Sequence, residues 1–548
     1  MRNNGKKPRI LQPIPFLIGF AFAILYASFL SKMHYIDGLA FAYYLENYPA
    51  DYLWHQHHPV WLPLMKIIFS LLKALFPELR SLIFLSVMNA ILGGLVVALL
   101  IQLLLKITKN PAISILTGIL FGVSWGMMNF STDSNIYILI VMLMILITIL
   151  LVSGENLSRK NAVLATVLIL ISSLMHQISF FYSFVVLAAI VLRSPKKERY
   201  GTLGICTIIY AIAIVSVNYI IYQHSMSLLN GEIMLSFPEW LTAYGREIGW
   251  WTPIAKGTDY GMQILCYTLF NSIFHTQGSE LLRHARPYDE SLFNPAFYLL
   301  YALIVISIFW EIYFCFRSPY SDKKVRDAQS IFLIWFLLYF LFNHLFCPFE
   351  LHYKLFYIPP LLGLWSIRLS GISTTKKMLF SIVAITVVSF MILLNFFTGM
   401  LPNSKFQTNP FLKSVFDIAE ITQEGDLVIF ARNQFYSSGL TRYYSKADAE
   451  VYRNKFNKFV VVEKNQWEIE TQTVNFLNKH YDRIFLTDQA YSDLTKFGIW
   501  YFSGYYFPLP HPWALAVSTS SIKKIGDIEV RNGEVLHEVK LISETYSN

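Results

Sequence analysis

His34 to Pro63 reads HYIDGLAFAYYLENYPADYLWHQHHPVWLP and follows directly on an apolar run, Ile14 to Ser31, long enough to cross a bilayer. Asp37, Glu46, Asp51, His55, His57 and His58 stand here among Tyr, Trp and Phe. Acids and imidazoles are costly in hydrocarbon, so the stretch belongs where the first helix leaves the membrane. Two readings fit it. One is a site at a membrane mouth; the other is a wet interfacial loop with an aromatic belt, because Tyr and Trp favour that depth.

The rest of the chain is built to match. Of 548 residues, 55% are hydrophobic and only 14% are charged, against about 25% charged in soluble domains. Several runs of about 20 residues are nearly free of charge, the length of a membrane-spanning helix. The basic start (Arg2, Lys6, Lys7, Arg9) resembles that of a signal peptide. The following run is too long and lacks a small-x-small cleavage site, so a retained anchor is expected. The net charge of +9 reflects basic loops on one side of a membrane rather than a nucleic-acid partner. Cys206, Cys266, Cys315 and Cys347 are scattered, with neither metal spacing nor a disulfide framework.

After the first loop, residues 60–76 form an amphipathic run carrying Lys66 and Lys73, expected to lie on the membrane surface. Spans are expected near 80–105, 112–130, 135–153, 161–176, 178–192, 201–222, 292–316, 328–346, 353–369 and 377–399. With the first run this makes an α-helical polytopic membrane protein of about eleven transmembrane helices. With the N-terminus cytoplasmic, the cytoplasmic connections hold Lys106 and Lys109; Arg159 and Lys160; Arg193, Lys196, Lys197 and Arg199; Arg317, Lys323, Lys324 and Arg326; and Arg368, Lys376 and Lys377. The opposite short loops hold almost none, Lys32 and Lys354 being the main exceptions. Loops 32–79 and 223–290 then face outward, as does everything after residue 400.

Residues 401–548 change character and predict a small α/β extracytoplasmic domain beside the 1–400 transmembrane core. Asp426 to Ala431 and Arg483 to Thr487 read as short buried strands, with helical patterns near 410–420, 434–444 and 467–480. Ile528 to Val539 predicts an antiparallel pair turning at Asn532-Gly533. No glycine-rich phosphate loop or nucleophile elbow is visible, so this part binds or shields rather than catalyses.

Asp37 can take a proton from an acceptor hydroxyl, or it can simply cap a helix over 38–45. Asp133, in NFSTDSNIY, returns to the same outer face after the third span and is either a second functional acid or another cap. His176 ends a span on that face. His55, His57 and His58 of the first loop could ligate a metal with Asp51, but they lack the helical i, i+4 spacing of a zinc pair. The run FNHLFCPFELHYKLFYIPP, Phe342 to Pro360, adds His352, Lys354 and Tyr357. Lysine suits a phosphate as a point charge, and it also snorkels at interfaces.

These pieces in this order resemble the polytopic C-type glycosyltransferases, and among them the protein O-mannosyltransferase and lipid A aminoarabinose transferase group (glycosyltransferase family 39-like). The family pattern is an acid just after the first span, an HPP-like turn into interfacial helices, an Asp after the third span, and a basic residue before a late Y-x-x-P run. Here these are Asp37, HHPVWLP at 57–63, Asp133, and KLFYIPP at 354–360. The resemblance covers about residues 10–400. It implies a polyprenyl-phosphate-linked sugar donor, transfer with inversion on the outer face, and a lipid, glycan or protein acceptor. It further implies Asp37 as general base, Asp133 as organiser of the acceptor or of a divalent cation, and Lys354 as a ligand of the donor phosphate. His57, His58, His176, His352 and Tyr357, with Arg246 and Arg283 from the long outer loop, complete the substrate-binding set. The one cofactor it admits is a divalent cation, and the setting is an integral protein of a bacterial inner membrane. The chain departs from the pattern at one point, since the family often has an Asp-Glu pair where Gly38 follows Asp37.

Two other classes fit parts of the sequence. A lipid-linked saccharide transporter or flippase would show internal repeats or broken, charged segments at midplane, whereas the acids here gather at one face. An O-antigen-type polymerase or ligase would rely on basic residues in a large outer loop, which 223–290 partly offers.

Overall fold

Gly19 and Gly94 bring two apolar helices into backbone contact. The computed structural model describes residues 13–54, 57–228, 269–275, 322–345, 351–371, 374–405, 410–430 and 481–497, with parts of 236–240, 299–313, 441–451, 477–479 and 499–541. His55, Arg246, Arg283, Cys266, Cys315, Cys347 and the Asn532-Gly533 turn lie outside the described residues, as does most of 223–290, 292–316 and the helical pattern expected at 467–480. Helix α1 is Ile14–Ser28 and α4 is Ser81–Thr108. A Cβ on Gly19 would stand 2.5 Å from Gly94 O, and one on Gly94 would overlap Gly19 O. Small residues at such a crossing let two membrane helices pack by their backbones.

Between them in sequence, α2 (Ile36–Asn47) packs on α4, and α3 (Trp61–Leu75) packs on α2. Helix α3 turns Trp61, Met65 and Phe69 inward and leaves Ile67, Leu71 and Leu75 exposed on its other side, beside Lys66 and Lys73. This is the amphipathic pattern expected of a helix lying in the interface.

The span expected at 112–130 is broken. Helices α5 (Pro111–Gly122) and α6 (Trp125–Thr132) meet at 59°. A break inside a membrane is tolerated only where the freed carbonyls find donors. Here Ser124 Oγ donates to Phe121 O at 2.6 Å, the Tyr26 hydroxyl to Gly122 O at 2.6 Å, and Asn395 Nδ2 to Val123 O at 2.7 Å. The bend delivers the turn 133–136 to the segment after α1.

The remaining helices are α7 (Tyr137–Leu151), α8 (Arg159–Met175), α9 (Phe180–Arg193), α10 (Arg199–Leu228), α11 (Lys323–Leu345), α12 (Ile358–Ser370) and α13 (Thr374–Asn395). Among the described residues, four helices are long and apolar enough to cross a membrane, or five if the bent pair counts as one. The chain is an integral membrane protein. At the far end of α7, Arg193 is buried and donates to the carbonyls of Leu151, of Gly154 (2.8 Å) and of Glu155 (3.1 Å). Its Nε lies 3.4 Å from Asp327, which also pairs with Lys323 at 2.7 Å.

After a π-helical turn at Phe396–Met400, the chain forms α14 (Pro410–Ile421) and a five-stranded sheet in the order β2-β1-β3-β7-β6. These strands are β1 (Asp426–Phe430), β2 (Asp448–Val451), β3 (Arg483–Thr487), β6 (Ile522–Glu529) and β7 (Val535–Leu541); α15 (Asp488–Phe497) follows β3, and β4 (Ile499–Phe502) pairs with β5 (Leu515–Ser518). Strand β1 lies parallel to β2 and β3 and is buried along its whole length, as a central parallel strand should be. The antiparallel pair expected at 528–539 is present as β6 and β7, with β6 beginning earlier, at Ile522.

Candidate functional site

Asp133 is a clasp at the turn between α6 and α7. It is 1% exposed. His34 Nδ1 donates to its Oδ1 at 2.9 Å, Ser134 N–H to the same oxygen at 2.6 Å, and Tyr35 N–H to Oδ2 at 2.8 Å. Asn89 of α4 holds the carbonyls of Asp133 and Asn135, both at 2.7 Å. Asp133 ends α6, and the residue preceding α7 is Ile136, so the expected helix N-cap is not what this side chain forms.

Asp37 is likewise not a cap. Tyr35 occupies that place, and Asp37 is the second residue of α2. Its Oδ2 accepts from the Tyr137 hydroxyl at 2.9 Å. Gly38 is pressed against the Asp133 turn, where an added Cβ would overlap Ser134 O. No side chain fits there. The chain has glycine rather than a second acid at this position because the turn carrying Asp133 occupies the space.

Tyr137 is the hub of the surrounding cluster. Its ring stacks on His352, with centroids 4.0 Å apart and planes at 11°. The Tyr35 hydroxyl lies 3.0 Å from His352 Nδ1. On another side, His176 lies 5.6 Å from Tyr137, and His58 packs edge-on to His176 at 4.6 Å. His176 Nδ1 accepts from Ile178 N–H at 3.1 Å, which leaves the ring proton of the neutral imidazole on Nε2. His57, half-buried, lies 6.2 Å from His58, and its carbonyl accepts from Gln177 N–H at 3.1 Å. The 57–60 segment is thereby fixed to the end of α8.

His352 and Lys354 share the tight turn Leu351–Phe356, which packs on α6 and α7. Lys354 is fully buried and donates to Asn343 Oδ1 of α11 at 2.5 Å. Burying an ammonium costs several kcal/mol. That burial does not fit a lysine snorkelling to the interface. Tyr357, just past the turn, is buried edge-on to Phe336 and Phe340.

Asp37, Asp133, His58, His176 and His352 thus meet around one aromatic cluster, with Lys354 on the turn beside it. Sequence reasoning missed Tyr137 and Tyr35, which join them, and His34. Tyr137 does sit four residues after Asp133, at the end of the NFSTDSNIY run. Among the described residues no three His, Cys, Asp or Glu side chains converge as a metal site. Asp133, the suggested organiser of a cation, has both carboxylate oxygens on protein donors.

A second cluster fixes the far end of α2. Glu46 Oε1 accepts from Arg80 Nε (2.9 Å), Ser81 N–H (2.9 Å), Ser81 Oγ (3.0 Å) and the Tyr443 hydroxyl (3.2 Å). Burial alone would raise the Glu46 pKa, but the bonds from Arg80 and Ser81 outweigh it and hold the carboxyl below its ordinary value. Burial, and then the charge of Glu46, push the Tyr443 hydroxyl up to about 12.

No protein-family model matches the chain, and no curated protein matches it in sequence. Solved structures do. ArnT from Cupriavidus metallidurans bound to undecaprenyl phosphate superposes with a TM-score of 0.55 at 11% identity, covering 96% of this chain and 97% of that one. The apo state of the same protein gives 0.54 at 11%, covering 95% and 97%. At that identity the likeness establishes the fold. This chain shares the fold of those structures over nearly its whole length.

Proposed function

We propose that this protein is a membrane glycosyltransferase that moves a sugar from a polyprenyl-phosphate donor to a hydroxyl of a lipid, glycan or protein acceptor on the extracytoplasmic face. The observation that carries the reading is the meeting of Asp37 and the turn bearing buried Lys354 at one aromatic cluster. An ionisable residue buried beside apolar spans is a functional-site candidate. The fold adds support, since a solved structure of the same fold holds undecaprenyl phosphate.

In this reading the acceptor hydroxyl approaches Asp37, which takes its proton as the new bond to the anomeric carbon forms. The bond from that carbon to the donor phosphate breaks, its electron pair leaves on phosphate oxygen, and the polyprenyl phosphate departs. Lys354 stabilises the phosphate charge as it develops. Asp133, clasped by His34 and the Tyr35 N–H, organises the acceptor side by holding the base helix in place. His57, His58, His176 and His352 line the acceptor and sugar side, and Tyr357, Arg246 and Arg283 serve the donor. The chain crosses the membrane about eleven times, with residues 401–548 as an extracytoplasmic domain that binds or shields. The setting is a bacterial inner membrane.

The test is transfer by purified protein from a panel of polyprenyl-phosphate sugars, run beside Asp37→Asn. Wild type should transfer from at least one donor, and Asp37→Asn should be folded and slower by about 100- to 10,000-fold. Turnover by Asp37→Asn within about tenfold of wild type would remove Asp37 as the base.

A further inference from the structure

A tyrosine stands between Asp37 and the Lys354 turn. Tyr137 is 3% exposed. Its hydroxyl donates to Asp37 Oδ2, and its ring lies flat on His352, two residues before Lys354. Tyr137 is itself held firmly. Its backbone N–H donates to Asn135 Oδ1 at 3.0 Å, and Tyr35, Phe130 and Phe356 pack edge-on around its ring. It also opens α7, so it is anchored to a helix rather than a loop.

A carboxylate near the start of a short helix turns about two side-chain bonds, and a base must hold one orientation to be effective. Fixing it in advance removes an entropic part of the barrier, and a displacement of 1 Å can cost about 100-fold. Resting on the reading of Asp37 as base, we propose that Tyr137 is a positioning residue that couples the two substrate sides. Its hydroxyl fixes the base for the acceptor. Its ring fixes His352, and with it the turn that carries Lys354, for the donor. One residue thus performs two separable tasks, and separate substitutions reach them.

Tyr137→Phe keeps the ring and removes the hydroxyl. It should lower kcat by about 10- to 100-fold while the donor KM stays within about twofold. Tyr137→Leu removes both and should raise the donor KM as well. A merely structural tyrosine would lose folded protein in both variants, or move kcat and KM together. Each variant is therefore scored per folded molecule by size-exclusion chromatography and thermal unfolding in detergent.

The deciding measurement is a double-mutant cycle under single-turnover conditions with a radiolabelled donor. Because Tyr137 acts through Asp37, adding Tyr137→Phe to Asp37→Asn should slow transfer less than about twofold further. Full additivity overturns the proposal, and so does a Tyr137→Phe enzyme with normal kcat beside a nearly inactive Asp37→Asn. If Asp37→Asn is itself near wild type, the base assignment fails and the positioning role falls with it.

Discussion

Arg193 and Lys354 are buried cations near opposite ends of α7, and the fold treats them differently. Arg193 donates to three backbone carbonyls left at the end of α7 and in the following loop, and lies against Asp327. Its planar, forked donors suit that work. Each of these partners belongs to a helix end, its loop or an ion pair, so the cation completes the fold. Lys354 donates to a neutral amide, Asn343, on a turn beside Tyr137, His352 and the helix of Asp37. In the proposed function, the compact ammonium on that turn meets the donor phosphate. Burial alone does not distinguish structure from function; the place in the fold separates the two, a helix end for Arg193 and the turn beside the aromatic cluster for Lys354.

The largest effect that tests this contrast is on stability. Arg193→Met leaves Asp327 buried beside the exposed Lys323 and leaves the three carbonyls without their donors. Breaking a buried pair from one side costs about 3–5 kcal/mol. Thermal unfolding in detergent should show a large fall in Tm, with kcat per folded molecule close to wild type. A variant that unfolds normally but transfers poorly would reverse the contrast and place function at the Arg193 end.

Next in size is Lys354→Met, which keeps length and apolar bulk while removing the charge. Loss of a phosphate ligand should raise the donor KM by about tenfold or more, near 1.4 kcal/mol. Thermal unfolding in detergent, run in parallel, separates a change in donor KM from a loss of folded protein. An unchanged KM would make Lys354 a second structural cation and remove the donor side of the proposed function.

The same physics explains what the sequence disclosed. Acids and a lysine beside apolar spans are visible because hydrocarbon makes them expensive, so Asp37, Asp133 and Lys354 stood out without any structure. Their settings did not. The capping alternative for both acids was reasonable from composition, yet Asp37 lies inside its helix and Asp133 closes one. Tyr137 and Tyr35 were hidden because interfacial tyrosines are common in any membrane protein. The break between Gly122 and Trp125 was also invisible, since it depends on Tyr26 and Asn395, which lie 96 and 272 residues away from the carbonyls they satisfy. Gly38 marked a departure from the family pattern whose cause, the Ser134 carbonyl, lies in another part of the chain. The strands at 426–430 and 483–487 were legible because short apolar runs between polar ends suit a buried sheet.

The smallest effect concerns the two ends of α2, the end carrying the proposed base Asp37 and the end anchored at Glu46. Tyr443→Phe removes one donor from Glu46 and should cost about 1 kcal/mol of stability. Glu46→Gln tests the charge itself. Because Arg80 and Ser81 hold the Glu46 carboxyl below its ordinary value, the folded protein binds fewer protons than the unfolded chain in the acid range. The stability contributed by this carboxylate is therefore present in full above the ordinary carboxylate range and is lost as pH falls through the lowered value. The Tm gap between wild type and Glu46→Gln should be widest near neutral pH and should shrink on acidification. A gap that stays constant with pH would mean that Glu46 anchors by shape and neutral hydrogen bonding, and that the Arg80 charge contributes nothing to holding the helix of Asp37.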